Sequence, residues 1–315
     1  MNTISNGYTK MLVAICIASY KRPEGLQRLL KGINHLNVST STINIEVVVV
    51  DNDANASAKE VCEKITPNFK WSLRYYIEPQ RGISYVRNKA IANVSDDAEF
   101  VAFIDDDEVP EPSWLSELLS VQRIYNADVV TGPVLPHFTK EAPAWVVRGK
   151  FFESGRYPTG CLLKVAFTNN VIVRSEIFKK FEQVFDHRFA ITGGEDCHFF
   201  MRLYHMGYKM VWADNAIVYE WISDSRTNMK WILLRGYRTW GTHSLCEREF
   251  EPLIKVQAIR VAKGSALILI GVLLLVPSFT FQKHIFVKAL LRIYRGCGTF
   301  SGLLGSPYQE YKHLE

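Results

Sequence analysis

Apolar and polar positions along the first two-thirds of the chain fall into two alternating rhythms. Residues 11–18 (MLVAICIA) are an unbroken apolar run, the pattern of a strand buried on both faces. Beyond Pro23-Glu24-Gly25, Leu26, Leu29, Leu30 and Ile33 recur along one side of a helix. Residues 45–50 (IEVVVV) predict a second buried strand, which ends at Asp51-Asn52-Asp53. A weaker helix is expected over 57–66 and a third strand over 73–77 (LRYYI). After the loop at Arg81-Gly82, a further helix is expected from Ile83 to Asn93. Residues 99–104 (EFVAFI) predict a fourth strand, closed by Asp105-Asp106-Asp107. Pro112-Ser113-Trp114 then open a helix, and 127–131 form a short strand. Buried strands alternating with helices predict an α/β fold: a mostly parallel sheet with helices on both faces.

The second half is less regular. Residues 138–160 are rich in Pro, Gly and aromatics and show no clear period. A strand is expected over 165–173, a helix from Glu195 to Met206 with Gly207 as its C-cap, and a strand over 209–219. Gly264 to Gln282 carry no charge, close to the length of a bilayer span, although Pro277 weakens that reading. Next come Lys288, Arg292 and Arg295, one basic stripe on a helix of the kind that lies at a membrane interface. Two ordinary packing helices are the plainer alternative.

An apolar share of 48% and a charged share of 22% exclude a disordered chain, a collagen repeat or a disulfide mini-protein. The formal net charge is +5, and its location matters more than its size. Residues 253–315 hold eight Lys/Arg and two Asp/Glu, whereas residues 1–252 hold 29 and 30. A nucleic-acid binder more often carries its basic patch on the folded body, so no nucleic-acid partner is expected. Basic residues beside an apolar run suggest a membrane surface instead. The six cysteines form no C-x-x-C pair and are expected to be free thiols in a reducing compartment; no signal peptide is expected.

Ligands of open parallel sheets bind beyond the carboxyl ends of the strands. Ser19-Tyr20, Asp51-Asn52-Asp53 and Asp105-Asp106-Asp107 all fall at such ends. One acidic turn is ordinarily a solvated strand end, but two on one rim point to a cation. Packed carboxylates are costly unless a cation or hydrogen-bond donors neutralise them. Their hard oxygens suit Mg²⁺ or Mn²⁺ shared with phosphate. Glycine-rich phosphate motifs are absent, so a bound nucleotide needs cationic side chains. Arg81 and Arg87 leave the same rim, though either could be a plain surface arginine. Glu195-Asp196, after Gly193-Gly194, either complement a helix dipole or supply a general base. Arg226, Lys230, Trp231, Arg235, Arg238 and Trp240 could close over a donor diphosphate, dock a lipid-linked acceptor, or face solvent from an ordinary helix.

These clusters occur in a telling order. Ile17-Ala18-Ser19-Tyr20-Lys21-Arg22-Pro23 is followed by Val48-Val49-Val50-Asp51-Asn52-Asp53, Arg81-Gly82 and Arg87-Asn88-Lys89-Ala90. Then come Phe103-Ile104-Asp105-Asp106-Asp107-Glu108-Val109-Pro110 with Trp114-Leu115, Thr131-Gly132-Pro133, Thr168-Asn169-Asn170 and Thr192-Gly193-Gly194-Glu195-Asp196. The set, over about residues 11–221, resembles the family 2 inverting glycosyltransferases of the GT-A fold. Within them it is most similar to bacterial exopolysaccharide and lipopolysaccharide sugar transferases, including succinoglycan-type glucosyltransferases.

The resemblance implies a hexosyltransferase with a GT-A catalytic domain over 1–250 and a C-terminal helical, membrane-associating region over 251–315. It implies that Ser19 and Tyr20 frame the nucleotide base, that Asp51 bonds base or ribose, and that Arg87 sits near the diphosphate. Asp53, Arg81 and Asp106 are further candidate nucleotide-sugar contacts. Asp105 and Asp107 match the ends of the D-x-D motif: Asp105 faces the ribose or joins the metal, and Asp107 binds Mn²⁺ or Mg²⁺. Asp196 matches the base, with Glu195 beside it as an acceptor contact or orienting group. Asn169 or Asn170 lies where the family lines the sugar pocket. Many relatives place a further metal ligand, often His, where this chain has Ile217-Val218-Tyr219-Glu220-Trp221, so either Glu220 stands in there or Asp107, diphosphate and water alone hold the metal. The implied donor is a nucleotide sugar, UDP-linked. The implied acceptor is a lipid-linked saccharide at the cytoplasmic face of the inner membrane. Two other functions share some of these features. A sugar-phosphate nucleotidyltransferase needs a glycine-rich basic signature that Ser19–Pro23 lacks. A non-catalytic sugar-binding protein of the same fold is disfavoured by the full set of acids.

Overall fold

The computed structural model describes residues 10–278, 282–306 and 308. In the first stretch β1 (Met11–Ser19), α1 (Pro23–Asn34), β2 (Ile43–Asp51), α2 (Lys59–Ile65), β3 (Ser72–Ile77), α3 (Ile83–Ala92) and β4 (Phe100–Ile104) follow the expected alternation. The body continues through β5 (Glu108–Pro110), α4 (Trp114–Tyr125), β6 (Val129–Thr131), β7 (Val134–Phe138), α5 (Ala144–Gly149), β8 (Asn170–Arg174) and α6 (Ser175–Phe178). It ends with α7 (Glu195–His205), β9 (Met210–Trp212) and β10 (Val218–Ile222). Three long helices follow: α8 (Met229–Phe250), α9 (Ile254–Ser278) and α10 (Lys283–Leu303).

The main sheet has seven strands in the order β3-β2-β1-β4-β8-β6-β9, and a smaller sheet has the order β5-β10-β7. The period-2 geometry of a strand explains why the apolar runs are continuous. Val13, Ile15 and Ile17 enter one core with Leu26, Leu29 and Leu118, while Ala14 and Cys16 enter a second core with Val86, Phe199 and Leu203. Helices α1 and α4 therefore cover one face of the sheet, and α3 and α7 the other.

Several expectations need correction. The strand expected over 165–173 is confined to β8, which is antiparallel to both β4 and β6. The strand expected over 209–219 is two strands in different sheets, because the turn at Ala213–Ala216 carries the chain from the large sheet to the small one. β6 and β7 make the same crossing at Gly132-Pro133. Asn170 ties the two crossings together: its Nδ2 donates to the Pro133 carbonyl at 3.0 Å and the Ala216 carbonyl at 2.8 Å, and its Oδ1 accepts from Trp114 Nε1 at 2.7 Å.

Helix α10 lies between α8 and α9. Glycine allows each contact: a Cβ on Gly302 would collide with the Gly241 carbonyl of α8, and one on Gly296 would lie 2.7 Å from the Gly264 carbonyl of α9. Lys288, Arg292 and Arg295, expected as the outer stripe of an interfacial helix, belong to this middle helix, and Arg295 packs over the Trp240 ring of α8 at 5.7 Å. Among the described residues all six cysteines are free.

Candidate active site

The carboxyl ends of β1, β2 and β4 share one rim, as the parallel register Ser19↔Asp51 and Cys16↔Phe103 requires. At the end of β4 the three aspartates separate by direction. Asp106 is buried, accepts from Ser19 Oγ at 3.0 Å, and pairs with Arg22 at 3.0 Å. Burial pushes its carboxyl up to about 7 against the pull of Arg22, and the charge of Asp107 adds to the rise. Ser19 and Asp106, expected as ligand contacts, thus form an internal brace between β1 and the aspartate turn. Asp105 and Asp107 reach the surface of the site.

Asp107 Oδ2 accepts from two guanidiniums, Arg22 at 2.9 Å and Arg226 at 2.7 Å. Arg226 also pairs with Glu220 Oε1 at 2.7 Å. The small sheet produces this meeting. β5 continues directly from the aspartates and pairs antiparallel with β10, which sets Glu220 opposite Glu108, and Trp221 N–H donates to the Asp107 carbonyl at 2.7 Å. Glu220 is therefore beside Asp107. Burial raises its pKa, against the pull of Arg235 and with a further rise from Asp107. Glu108 is buried beneath the turn, accepts from Asp105 N–H at 2.9 Å, and is held well above the usual carboxylate range by that burial.

Asp196 enters the site from the first turn of α7. Its Oδ1 accepts from Cys197 N–H at 2.6 Å and its Oδ2 from Thr168 Oγ1 at 3.4 Å. Gly194 precedes the helix at φ 91°, and any side chain there would strike Thr242 of α8. Glu195 is 1% exposed and bound to Arg87, which also reaches Asp105 at 3.1 Å. Burial pushes Glu195 up to about 7 against the pull of Arg87. One guanidinium thus links the start of α7 to the aspartate turn. Glu195, enclosed in this pair, exposes almost no surface of its own to the site.

On the β2 side, Asp51 is fully buried. It accepts from Asp53 N–H at 2.9 Å, Ala58 N–H at 2.7 Å and Tyr75 OH at 3.0 Å, so it organises the turn at the end of β2. Asp53 is also buried and accepts from Asn55 N–H at 3.1 Å. Asn52 holds the neighbouring loop: its amide donates to the Glu78 and Gln80 carbonyls, both at 2.8 Å, and its oxygen accepts from Gly82 N–H at 2.9 Å. That loop carries Arg81 to within 5.7 Å of the Tyr20 ring, with Lys21 at 5.2 Å. Asn169 is half-buried, whereas Asn170 is fully enclosed with its amide spent on the sheet crossings. The positioning roles of Arg22, Asn52 and Thr168 escaped sequence reasoning. Each is a polar residue in a quoted motif, but spacing alone does not say which neighbour it holds.

The donor set at Asp107, Glu220 and Asp105 is all carboxylate oxygen, which suits Mg²⁺ or Mn²⁺ in kind. In number it falls short of a cage: no group of three or more His, Cys, Asp or Glu residues is disposed to hold an ion among the described residues. A divalent ion here would be shared with ligand phosphates, in competition with Arg226.

Residues 14–182 match the family described as Glycosyl transferase family 2. Over 295 residues, 93% of each chain, the protein is 29% identical to the succinoglycan biosynthesis protein ExoM of Rhizobium meliloti (strain 1021). Its fold is similar to that of S. aureus TarS 1-349, with a TM-score of 0.54, 16% identity, and coverage of 97% of this chain and 98% of that one. It is also similar to the mannosyltransferase PcManGT from Pyrobaculum calidifontis, solved with GDP-Man and Mn2+. There the TM-score is 0.66, with 14% identity and coverage of 95% of this chain and 88% of that one. The architecture is GT-A: a mostly parallel central sheet flanked by helices, with a helical C-terminal segment.

Proposed function

The chain belongs to glycosyl transferase family 2, and from that premise we propose that it moves a hexose, with inversion, from a UDP-linked donor to a lipid-linked or growing saccharide in cell-surface polysaccharide synthesis. The observation that carries this is the joining of two acidic centres, Asp107 with Glu220 and Asp196 with Thr168, through the Asp105–Arg87–Glu195 bridge. Inverting displacement needs a base for the acceptor and stabilisation for the leaving diphosphate, and no nucleophile of the enzyme's own.

Asp196 Oδ2 takes the proton of the acceptor hydroxyl while that oxygen bonds to the anomeric carbon and the bond to the diphosphate breaks. Cys197 N–H fixes the other oxygen, so the base is aimed from a helix terminus. Glu195 acts by holding Arg87. Arg22 and Arg226 bring positive charge to the Asp107 side, where the diphosphate collects. Asp107 and Glu220 are the oxygen ligands offered to Mn²⁺ or Mg²⁺, with Asp105 at hand; a bound ion supplies Lewis-acid stabilisation of the leaving group. Tyr20 and Arg81 flank the berth of the nucleotide base, and Asn169 the sugar pocket. Support for the donor class comes from TarS 1-349, solved with UDP and with UDP-GlcNAc, and from PcManGT with GDP-Man and Mn2+. Support for the process comes from the name of ExoM. The basic C-terminal helices suit attachment at the cytoplasmic face of the inner membrane.

Purified chain supplied with membrane extract, Mn²⁺ and a panel of nucleotide sugars should release UDP from one of them. The product's anomeric configuration by NMR should be opposite to the donor's. Asp107→Ala and Asp196→Asn should each lower release by about 10²–10⁴-fold. Failure of every nucleotide sugar to react or bind overturns the assignment, and unchanged turnover in either variant removes that residue from the mechanism.

A further inference from the structure

We propose that α9 seats the protein on an anionic phospholipid bilayer by lying in the plane of the interface without crossing it; this rests on the membrane attachment proposed above. An 18-residue window within residues 254–275 has a mean hydropathy of 2.0, yet only 17% of it is buried. The core helix of a soluble domain would be mostly covered. Leu269, Ile270, Val272, Leu273 and Leu274 are each 36–63% exposed. The covered stripe is the one turned to the bundle, where Gly264 and Gly271 meet α10 and Arg260 pairs with Glu247 of α8.

The packing excludes a crossing. Helix α10 runs antiparallel along α9, from Gly271 against Ile293 to Gly264 against Phe300. Helix α8 is fastened to α10 in turn, backbone to backbone, where Gly302 meets Gly241. A spanning α9 would carry both neighbours into hydrocarbon. Those neighbours hold Lys288, Arg292, Arg295, Arg235 and Arg238, and charges at such depth are strongly disfavoured. In the interfacial plane the exposed aliphatic arc enters the headgroup–acyl boundary while the bundle stays in water.

The lipid is indicated by charge. Lys255 and Lys263 are exposed on α9, and Lys283 is exposed at the start of α10. Segment 253–315 carries the basic excess of the whole chain. Anionic headgroups complement that charge, whereas a second copy of the chain would oppose like charges across the contact.

The test uses the full chain and preformed vesicles of phosphatidylethanolamine and phosphatidylglycerol. The protein should float with these vesicles and at least fivefold less with phosphatidylcholine alone. Leu269→Asp with Leu273→Asp should abolish flotation while UDP release with a water-soluble acceptor and the circular dichroism stay unchanged. A Gln282→Cys variant in which the accessible native thiols Cys161 and Cys297 are replaced by Ser, bound to vesicles, should react with a membrane-impermeant maleimide from outside as fully as after detergent. Reaction only after detergent means a span and overturns the in-plane geometry. Flotation that survives the two aspartates assigns attachment to another surface, overturning the role of α9 while sparing membrane attachment. No flotation with any vesicle removes both, and a dimer that the aspartates dissociate would identify a second copy as the occupant instead.

Discussion

Asp107 Oδ2 is the point where this site holds most charge in least space, since it accepts from Arg22 and Arg226 together. Arg226 is the guanidinium that also spans to Glu220, so a divalent ion and Arg226 seek the same oxygens. Arg226→Ala should therefore tighten Mn²⁺ binding in the absence of nucleotide, by about 3- to 10-fold in a calorimetric titration, the scale of one screened charge interaction. It should at the same time slow UDP release, since the proposed diphosphate site loses a cation. Glu195 makes a second prediction. Burial holds its pKa at about 7 against an ordinary 4.5, so the folded state favours its protonated form. The stability it contributes is complete below about pH 4.5 and is lost as the pH rises through about 7, and Asp106 acts with the same sign. The melting temperature should fall from about pH 5 to about pH 8. Glu195→Gln should flatten that fall, since a tenfold difference in proton affinity between the folded and unfolded states corresponds to about 1.4 kcal/mol.

At the scale of elements, Asn170 governs where β10 lies. Asn170→Ala would leave the Ala216 carbonyl and the Trp114 N–H unpaired in the core, while the Pro133 carbonyl keeps the Val218 N–H at 3.1 Å, at a cost of about 1–3 kcal/mol for each group left unsatisfied. The expected outcome is a large drop in urea midpoint, together with loss of turnover as Glu220 drifts from Asp107. This residue also marks the limit of what the sequence discloses. The buried strands β1, β2 and β4 and helices α1, α3 and α7 were legible because continuous apolar runs and i, i+3, i+4 spacing are local signals. The small sheet was not. β5 and β7 are only three and five residues long, and their partner β10 lies some eighty residues or more away in the chain. A run such as 209–219 cannot announce that it changes sheets midway. The same reasoning divides the site: the aspartate turn and the Asp196 helix were visible as motifs, while the bridge through Arg87 depends on a fold-dependent meeting.

At the scale of the whole molecule, the GT-A body and the helical end are joined through α8. Its first turns set Trp231 beside Phe152, with Arg235 over the Trp231 ring at 5.2 Å, and Ile232 and Leu233 are buried. Its later turns receive the glycines of α10. The inward side of α8 thus depends on residues that read, in sequence, as a detachable membrane address.

That shared helix has a practical consequence for producing the enzyme. Deleting residues 253–315 to obtain a water-soluble fragment would uncover the α8 surface around Leu233 and Gly236, where Leu291 now packs. Such a fragment should elute as aggregate on size exclusion. Redesigning only the outward aliphatic residues of α9, with α10 kept in place, should give a monodisperse, active protein. The outward face of α9 can be changed in place, and a pair of molecular scissors is the wrong tool for it.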